Sequence, residues 1–311
     1  MACTGSIEEI LEQIGSLNAR IIGGGAFSNV LRISFRGEEY ILKIIPIINE
    51  SDIESFRLEK NNWELVSENS NLRTITPEFC ESALVHKETL NMFNPPIYTL
   101  FNLHTEYRSP EKANYFGFIL TKASDLYLKI PKTGSDVANL TDKLIYALNV
   151  LHNEGYVHGD IKRANILIKQ FPLFDILFID LEGLCKLPCA RSMPHTIVPP
   201  NFRPGKKTYT IKKPGTTLKK KIKATNAGFP EFSKETDRYA MGRLILDILT
   251  ITNWSDTSPE VKEETYQKAY TLLRSPIHTY ASKIGASKFP NYQGGNRYRK
   301  SRKNHKQLRK P

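Results

Sequence analysis

The chain has 311 residues, 40% of them apolar and 24% charged, a composition that excludes fibrous and wholly disordered classes and provides material for a sizeable core. No run approaches the ~20 apolar residues that a membrane-spanning helix needs, and the acidic start from Met1 to Glu9 lacks the basic and apolar regions of a secretory leader. The formal charge of +12 is unevenly placed: residues 203–223 carry nine Lys/Arg and no acid, residues 296–311 carry eight and none, and removing those 17 leaves about −5 elsewhere. Four scattered cysteines (Cys3, Cys80, Cys185, Cys189) suggest no disulfide framework. Cys185 and Cys189 lack a second ligand pair for zinc. An intracellular, reducing location, cytoplasmic or nuclear, is therefore expected.

Residues 6–17 place apolar groups at 7, 10, 11, 14 and 17, which predicts a helix opened by a capping box between Ser6 and Glu9. From Arg20 to Phe35, apolar runs flank a glycine cluster, predicting a strand, a tight turn and a second strand. The turn reads Gly23-x-Gly25-x-x-Ser28-x-Val30, and glycines there let backbone amides approach a phosphate without Cβ interference. A ligand-free glycine hairpin fits the same residues. Glu39–Pro46 predicts a third strand with Lys43 inside an apolar run. That residue is either a snorkelling lysine on an edge strand or a phosphate clamp held by a carboxylate. Residues 51–68 have helical periodicity and supply Glu54, Glu59 and Glu64 as candidate partners, with Trp63 facing the core.

Residues 69–114 are polar and proline-punctuated, and only Ile97–Phe101 stands out as a strand, followed by another at Tyr115–Leu120. Thr121–Leu126 then reads as a link, where Asp125 is a candidate for a ribose hydroxyl or equally for a helix N-cap. Apolar residues at 137, 140, 144, 145, 148 and 151 predict a long helix over 135–153. It delivers a loop in which Asp160, Lys162 and Asn165 lie between the apolar runs Gly155-Tyr-Val157 and Ile166-Leu-Ile168. An apolar strand within 174–180 ends at Asp180, which is either a turn cap or a metal-binding carboxylate 15 residues beyond Asn165. Residues 184–230, rich in Pro, Gly and Lys, show no sustained periodicity and read as a long, partly mobile segment. Buried-helix patterns follow over 235–250, with Thr236 and Asp237 near the start, and over 258–274. Beyond about 286 the sequence is polar and basic, and disorder is expected.

Taken together, these features resemble the eukaryotic-like protein-kinase superfamily over roughly residues 17 to 275. A glycine-rich loop, a strand lysine, a helix glutamate, a His-x-Asp loop with its Asn, an Asp after a strand and an Asp-opened apolar helix occur in that order. The fragment Tyr156-Val-His-Gly-Asp-Ile-Lys162 is similar to the casein-kinase and vaccinia-related kinase branches. The resemblance implies an α+β, bilobal fold: a β-rich N-lobe over 1–122, a mainly helical C-lobe over 123–285 and a basic tail over 286–311. It also implies ATP and Mg²⁺ as cofactors, a protein substrate and a monomer. Asp160 would be the catalytic base and Lys162, as in Ser/Thr-type members, would neutralise charge on the transferred group. Asn165 and Asp180 would hold Mg²⁺. Lys43, paired with Glu59 in preference to Glu54, would hold the α- and β-phosphates. Gly23, Gly25, Phe27 and Ser28 would cover the phosphates, Val30 and Leu167 would sandwich the adenine, and Asp125 would face the ribose. His158 and Asp237 would be structural supports of the loop.

The departures from that pattern carry information. Gly159 replaces the loop arginine that normally pairs with an activation-loop phosphate, so activity should not need such phosphorylation. Asp180-Leu-Glu stands for Asp-Phe-Gly, with a glycine only at 183, and no Ala-Pro-Glu anchor precedes the helix of Asp237. Ile41 stands where a small alanine usually caps the purine, which should narrow the adenine pocket. Two alternatives remain: a kinase-like phosphotransferase acting on a small molecule, and a pseudokinase scaffold. The scaffold would bind an acidic partner or nucleic acid through the basic segments, with Tyr209, Tyr292 and Tyr298 stacking on bases.

Overall fold

The capping box forms as the sequence predicts. Ser6 Oγ accepts the Glu9 N–H, and the Glu9 carboxylate accepts the Ser6 N–H, starting helix α1 (Ile7–Gln13). The computed structural model describes residues 3–24, 28–93, 110–123, 131, 133–168, 175–189, 208–212, 219–223 and 233–273. The predicted strand at 97–101, the linking residue Asp125, the loop residues Gly25 and Phe27, and the basic tail lie outside them.

After α1 the chain forms strands β1 (Asn18–Gly24), β2 (Asn29–Phe35) and β3 (Glu38–Ile47), helix α2 (Glu50–Glu68), strand β4 (Phe79–His86), helix α3 (Lys87–Asn91) and strand β5 (Tyr115–Lys122). The five strands make one antiparallel sheet in the order β1-β2-β3-β5-β4. Strand alternation sorts its side chains onto two faces. Leu31, Ile33, Phe35, Leu42 and Ile44 bury against Ile7, Ile10, Leu11 and Ile14 on one side. Each of these fully buried aliphatic side chains contributes about 1.5–3 kcal/mol before chain-ordering entropy is subtracted. The other face carries Val30, Ile41, Lys43, Ile45 and Ile119, since the register sets Val30 and Ile119 opposite Lys43 and Thr121 opposite Ile41. Ile45 and Ile119 pack there with Phe56 and Trp63 of α2.

The C-terminal part is built on helix α4 (Gly134–Asn153), which buries Val137, Leu140, Leu144, Leu148 and Leu151 on one stripe. Short strands β6 (Tyr156–Val157), β7 (Ile166–Ile168), β8 (Ile176–Phe178) and β9 (Cys185–Lys186) follow, β6 pairing with β9 and β7 with β8. Helices α5 (Lys234–Ile251) and α6 (Pro259–Leu273) pack with α4 and complete this core. Ser233 is the N-cap of α5, with Thr236 at N3 and Asp237 in the first turn. A β-sheet layer and a helical layer joined by α2 make an α+β, bilobal arrangement.

Three expectations change. The polar stretch 69–114 contains β4, whose nearly uniform half-burial lacks the alternation that would mark a strand in sequence. The segment read as lacking periodicity holds an antiparallel ribbon, β10 (Thr208–Lys212) with β11 (Lys219–Lys223). Most plainly, the cysteines are paired: Cys3 with Cys80 and Cys185 with Cys189, their Cα atoms 5.6 and 5.9 Å apart. Folding brings Cys3 beside β4 across 77 positions of sequence, a proximity that spacing alone cannot reveal. The expectation of a reducing location therefore loses the unpaired cysteines on which it was based.

Candidate active site

Lys43 extends from β3, the central strand of the sheet, so the edge-strand reading of this lysine does not apply. Its Nζ donates to Glu59 Oε1 and Oε2 at 2.7 and 2.8 Å and to Asp180 Oδ1 at 2.8 Å. Of the three candidate glutamates only Glu59, 2% exposed, meets the lysine. Glu54 is exposed and Glu64 pairs with Lys60. Burial alone would depress the Lys43 ammonium, but the carboxylates of Glu59 and Asp180 raise its pKa above the usual lysine range. Burial pushes the Glu59 carboxyl up while Lys43 pulls it back. Asp180, more open to solvent, is held below its ordinary value by the same lysine.

The loop after β6 is fixed from beneath. Asp237, 2% exposed, accepts the backbone N–H of His158 at 2.7 Å and of Gly159 at 3.0 Å, and lies 3.3 Å from His152 Nε2. His158 is fully buried. Its Nδ1 accepts the Asp160 N–H, so the ring proton sits on Nε2 and is donated to the Ile179 carbonyl at 3.1 Å. That bond ties the loop to the strand leading into Asp180. Gly159 has φ +76, a conformation that glycine adopts without Cβ strain.

On this platform Asp160, Lys162 and Asn165 meet. Lys162 Nζ donates to Asp160 Oδ2 at 2.6 Å. Asn165 Nδ2 donates to the Asp160 carbonyl at 3.0 Å and to Oδ2 at 2.9 Å. Burial raises the Asp160 carboxyl, and Lys162 opposes the shift. The amide orientation leaves Asn165 Oδ1 as the acceptor facing away from Asp160. Pairing of β7 with β8 extends to an Ile179 N–H donated to the Asn165 carbonyl, so Asn165 and Asp180 are neighbours across the hairpin. One amide oxygen and one carboxylate are hard donors that fit Mg²⁺. Among the described residues no cluster of three or more His, Cys, Asp or Glu could hold a metal ion.

Asp180 has φ 62 and ψ 65, left-handed for a non-glycine residue, a conformation that costs about 1–3 kcal/mol and persists only where its surroundings hold it. Gly183, noted in the sequence only as a displaced glycine, and Asn62, which sequence reasoning passed over, flank it. Gly183 lies so close to the loop that a Cβ would stand 2.6 Å from the His158 carbonyl. Asn62 of α2 donates from Nδ2 to the carbonyls of Leu181 and Leu184 at 2.6 and 3.1 Å. The signal for Asn62 was an uncharged polar residue within the buried stripe of Phe56, Glu59, Trp63 and Val66.

The residues expected to meet a nucleotide are placed only in part. Gly23 lies in β1, Val30 in β2, Ile41 in β3 and Leu167 in β7, the last three half-buried, with Ser28 just before β2. Val30, Ile41 and Lys43 share one face of the sheet.

No family model matches the chain. A curated relative, the serine/threonine-protein kinase mrck-1 of Caenorhabditis elegans, is 24% identical over 243 residues, 74% of this chain and 12% of that protein. The chain thus spans about an eighth of the length of the curated relative it matches. Among solved structures, a twitchin kinase region from C. elegans aligns with 87% of this chain and 39% of its own, at 15% identity and a TM-score of 0.46, too low to carry weight. Six motif positions in order, the joining in space of the lysine, the helix glutamate and the post-strand aspartate, and the distant curated relative together support a divergent protein-kinase-like chain.

Proposed function

We propose that the chain is a Mg²⁺- and ATP-dependent serine/threonine protein kinase. The observation that carries this reading is the Lys43 ammonium bridging Glu59 and Asp180, with Asp160, Lys162 and Asn165 hydrogen-bonded as one unit on an adjoining loop. Desolvating a lysine between two carboxylates is costly, and a role in phosphoryl transfer accounts for that cost better than a scaffold role does.

In this reading Lys43 holds the α- and β-phosphates, and Val30, Ile41 and Leu167 bound the adenine. Gly23, Gly25, Phe27 and Ser28 cover the phosphates and Asp125 meets the ribose. Asn165 Oδ1 and the Asp180 carboxylate hold Mg²⁺, which when bound supplies neutralisation of the β- and γ-phosphate charge. The substrate hydroxyl oxygen forms its bond to the γ-phosphorus as the bond from that phosphorus to the β,γ-bridging oxygen breaks. ADP departs with the electron pair, and the hydroxyl proton passes to Asp160. Lys162, 2.6 Å from Asp160, is positioned to offset charge on the moving phosphoryl group. Burial of Asp160 favours its role as a proton acceptor by raising its basicity above that of an exposed aspartate.

The division into lobes at about residue 122, and a monomeric state, belong to the same reading. The ribbon of β10 and β11, within a stretch of nine Lys/Arg and no acid, favours an acidic substrate or partner. Binding of RNA or DNA in its place would show as a steep loss of affinity with salt.

The test is incubation of the purified chain with γ-labelled ATP, Mg²⁺ and a mixed protein substrate, followed by phosphoamino-acid analysis. Label on serine or threonine is expected, and its loss in Asp180→Asn with the fold retained. Undiminished transfer in Asp180→Asn would sink the metal assignment, and absence of transfer by the unaltered chain would sink the kinase reading.

A further inference from the structure

We infer that Asn62 is a positioning residue: its side-chain amide pins the turn after Asp180 to α2, so that Glu59 and Asp180 reach Lys43 together without a phosphorylated loop to order them. The inference rests on the kinase reading of the site and deepens it.

Three observations converge on this residue. Asn62 lies one turn beyond Glu59 on the buried face of α2 and is 9% exposed. Both protons of its Nδ2 are spent on one neighbouring segment, the carbonyls of Leu181 and Leu184, which close the 3₁₀ turn following Asp180. That turn starts from a left-handed aspartate and ends against the catalytic loop at Gly183. Asp180 therefore enters a strained backbone whose next residues are held on one side by the loop and on the other by α2. Without Asn62 the Leu181 and Leu184 carbonyls would lose these buried donors, and rotation of the turn would let them find others.

The location explains why the clamp matters here. Gly159 stands where a loop arginine would receive an activation-loop phosphate, and as a glycine it offers no side chain for that purpose. The amide of Asn62 reaches the start of the same segment from α2, a rigid helix of 19 residues. A single helix thus supplies the Lys43 partner and the hold on the metal-binding aspartate, and coupling between the two is built into one turn of helix.

The test compares the full chain with Asn62→Leu, which removes both donors, and with Asn62→Ser, a smaller change should leucine prevent folding. Hydrogen–deuterium exchange is read over residues 181–187 without nucleotide, and thermal stabilisation by ATP is titrated with Mg²⁺. Loss of two buried hydrogen bonds should speed exchange in that turn by roughly tenfold or more while α5 stays unchanged. The Mg²⁺ concentration for half-maximal stabilisation should rise several-fold. Ile10→Ala, a destabilising change in the α1 core, serves as control and should alter neither. Unchanged exchange at 181–187 in both Asn62 variants would overturn the clamp. Faster exchange with an unchanged Mg²⁺ midpoint would overturn the positioning role. Faster exchange in the variants of a chain that never responds to Mg²⁺ and ATP would instead overturn the kinase reading.

Discussion

Replacing Lys43 with methionine keeps the length and bulk of the side chain and removes the charge that Glu59 depends on. Glu59 is 2% exposed, and its two oxygens lie 2.7 and 2.8 Å from the lysine. Left alone, an ionised carboxylate at that position is costly, so Glu59 protonates instead. Its ordinary value is 4.5, and holding it neutral near pH 7 costs roughly 3.4 kcal/mol at about 1.36 kcal/mol per pH unit. That figure caps the destabilisation from Glu59. Asp180 adds less, because its side chain is 36% exposed and water screens it. The sign of the pH dependence follows. In the variant the folded-state pKa of Glu59 is raised above the unfolded value, so the penalty is present at neutral pH and fades as pH falls toward 4.5. At about pH 5.5 it should shrink to roughly 1.4 kcal/mol. Urea unfolding of the unaltered chain, Lys43→Met and Lys43→Met/Glu59→Gln at both pH values measures this directly. The double variant should recover about 2 kcal/mol at pH 7, short of the full amount because a buried glutamine amide loses its partner, and it should still fail to transfer phosphate. A single variant that loses less than about 1 kcal/mol at pH 7, or a double variant no more stable than the single, would refute the buried ion pair as the source of the effect.

Two other perturbations probe the loop. Lys162 opposes the burial-driven rise of Asp160 from 2.6 Å away, so Lys162→Met should raise the Asp160 pKa and move the acid limb of kcat/KM to higher pH; an unmoved limb in a variant of reduced kcat would remove Asp160 as the titrating base. Asp237→Asn replaces one of the two oxygens that accept buried backbone N–H groups with an amide nitrogen that cannot accept and should cost about 1–3 kcal/mol in denaturant unfolding. In that variant kcat should fall while KM for ATP changes little, and a change confined to KM would count against Asp237 as a support for the catalytic loop.

Where the sequence could be read, a local rule sufficed. The α1 capping box, the apolar stripe of α4 and the sheet strands β2, β3 and β5 each follow from residues within one or two turns or strand periods of one another. Glu59 was chosen from three glutamates by resemblance, and the fold shows why periodicity could not choose. Glu54 and Glu64 have equally helical spacing, and only the crossing of α2 over β3 decides which residue meets Lys43. The features that escaped are non-local. Cys3 and Cys80 are 77 positions apart, and Asn62 and Leu181 are 119 apart. Strand β4 has a burial pattern without the alternation that would mark it. The ribbon of β10 and β11 is concealed by lysine-rich, proline-flanked sequence whose composition speaks for solvent rather than for pairing.

The glycine at 159 ties these observations to one mechanism. As a sequence feature it was an absence, an arginine lost from a loop. In the fold it occupies a backbone with φ +76, donates its N–H to Asp237, and lies next to the His158 carbonyl that Gly183 approaches. The loop is thus held by Asp237 through its own backbone and joined to the Asp180 strand through His158. Helix α2 closes the remaining side with Glu59 and Asn62. The activity proposed for this site is expected to track the stability of α2 and the turn after Asp180 rather than the modification state of the segment beyond.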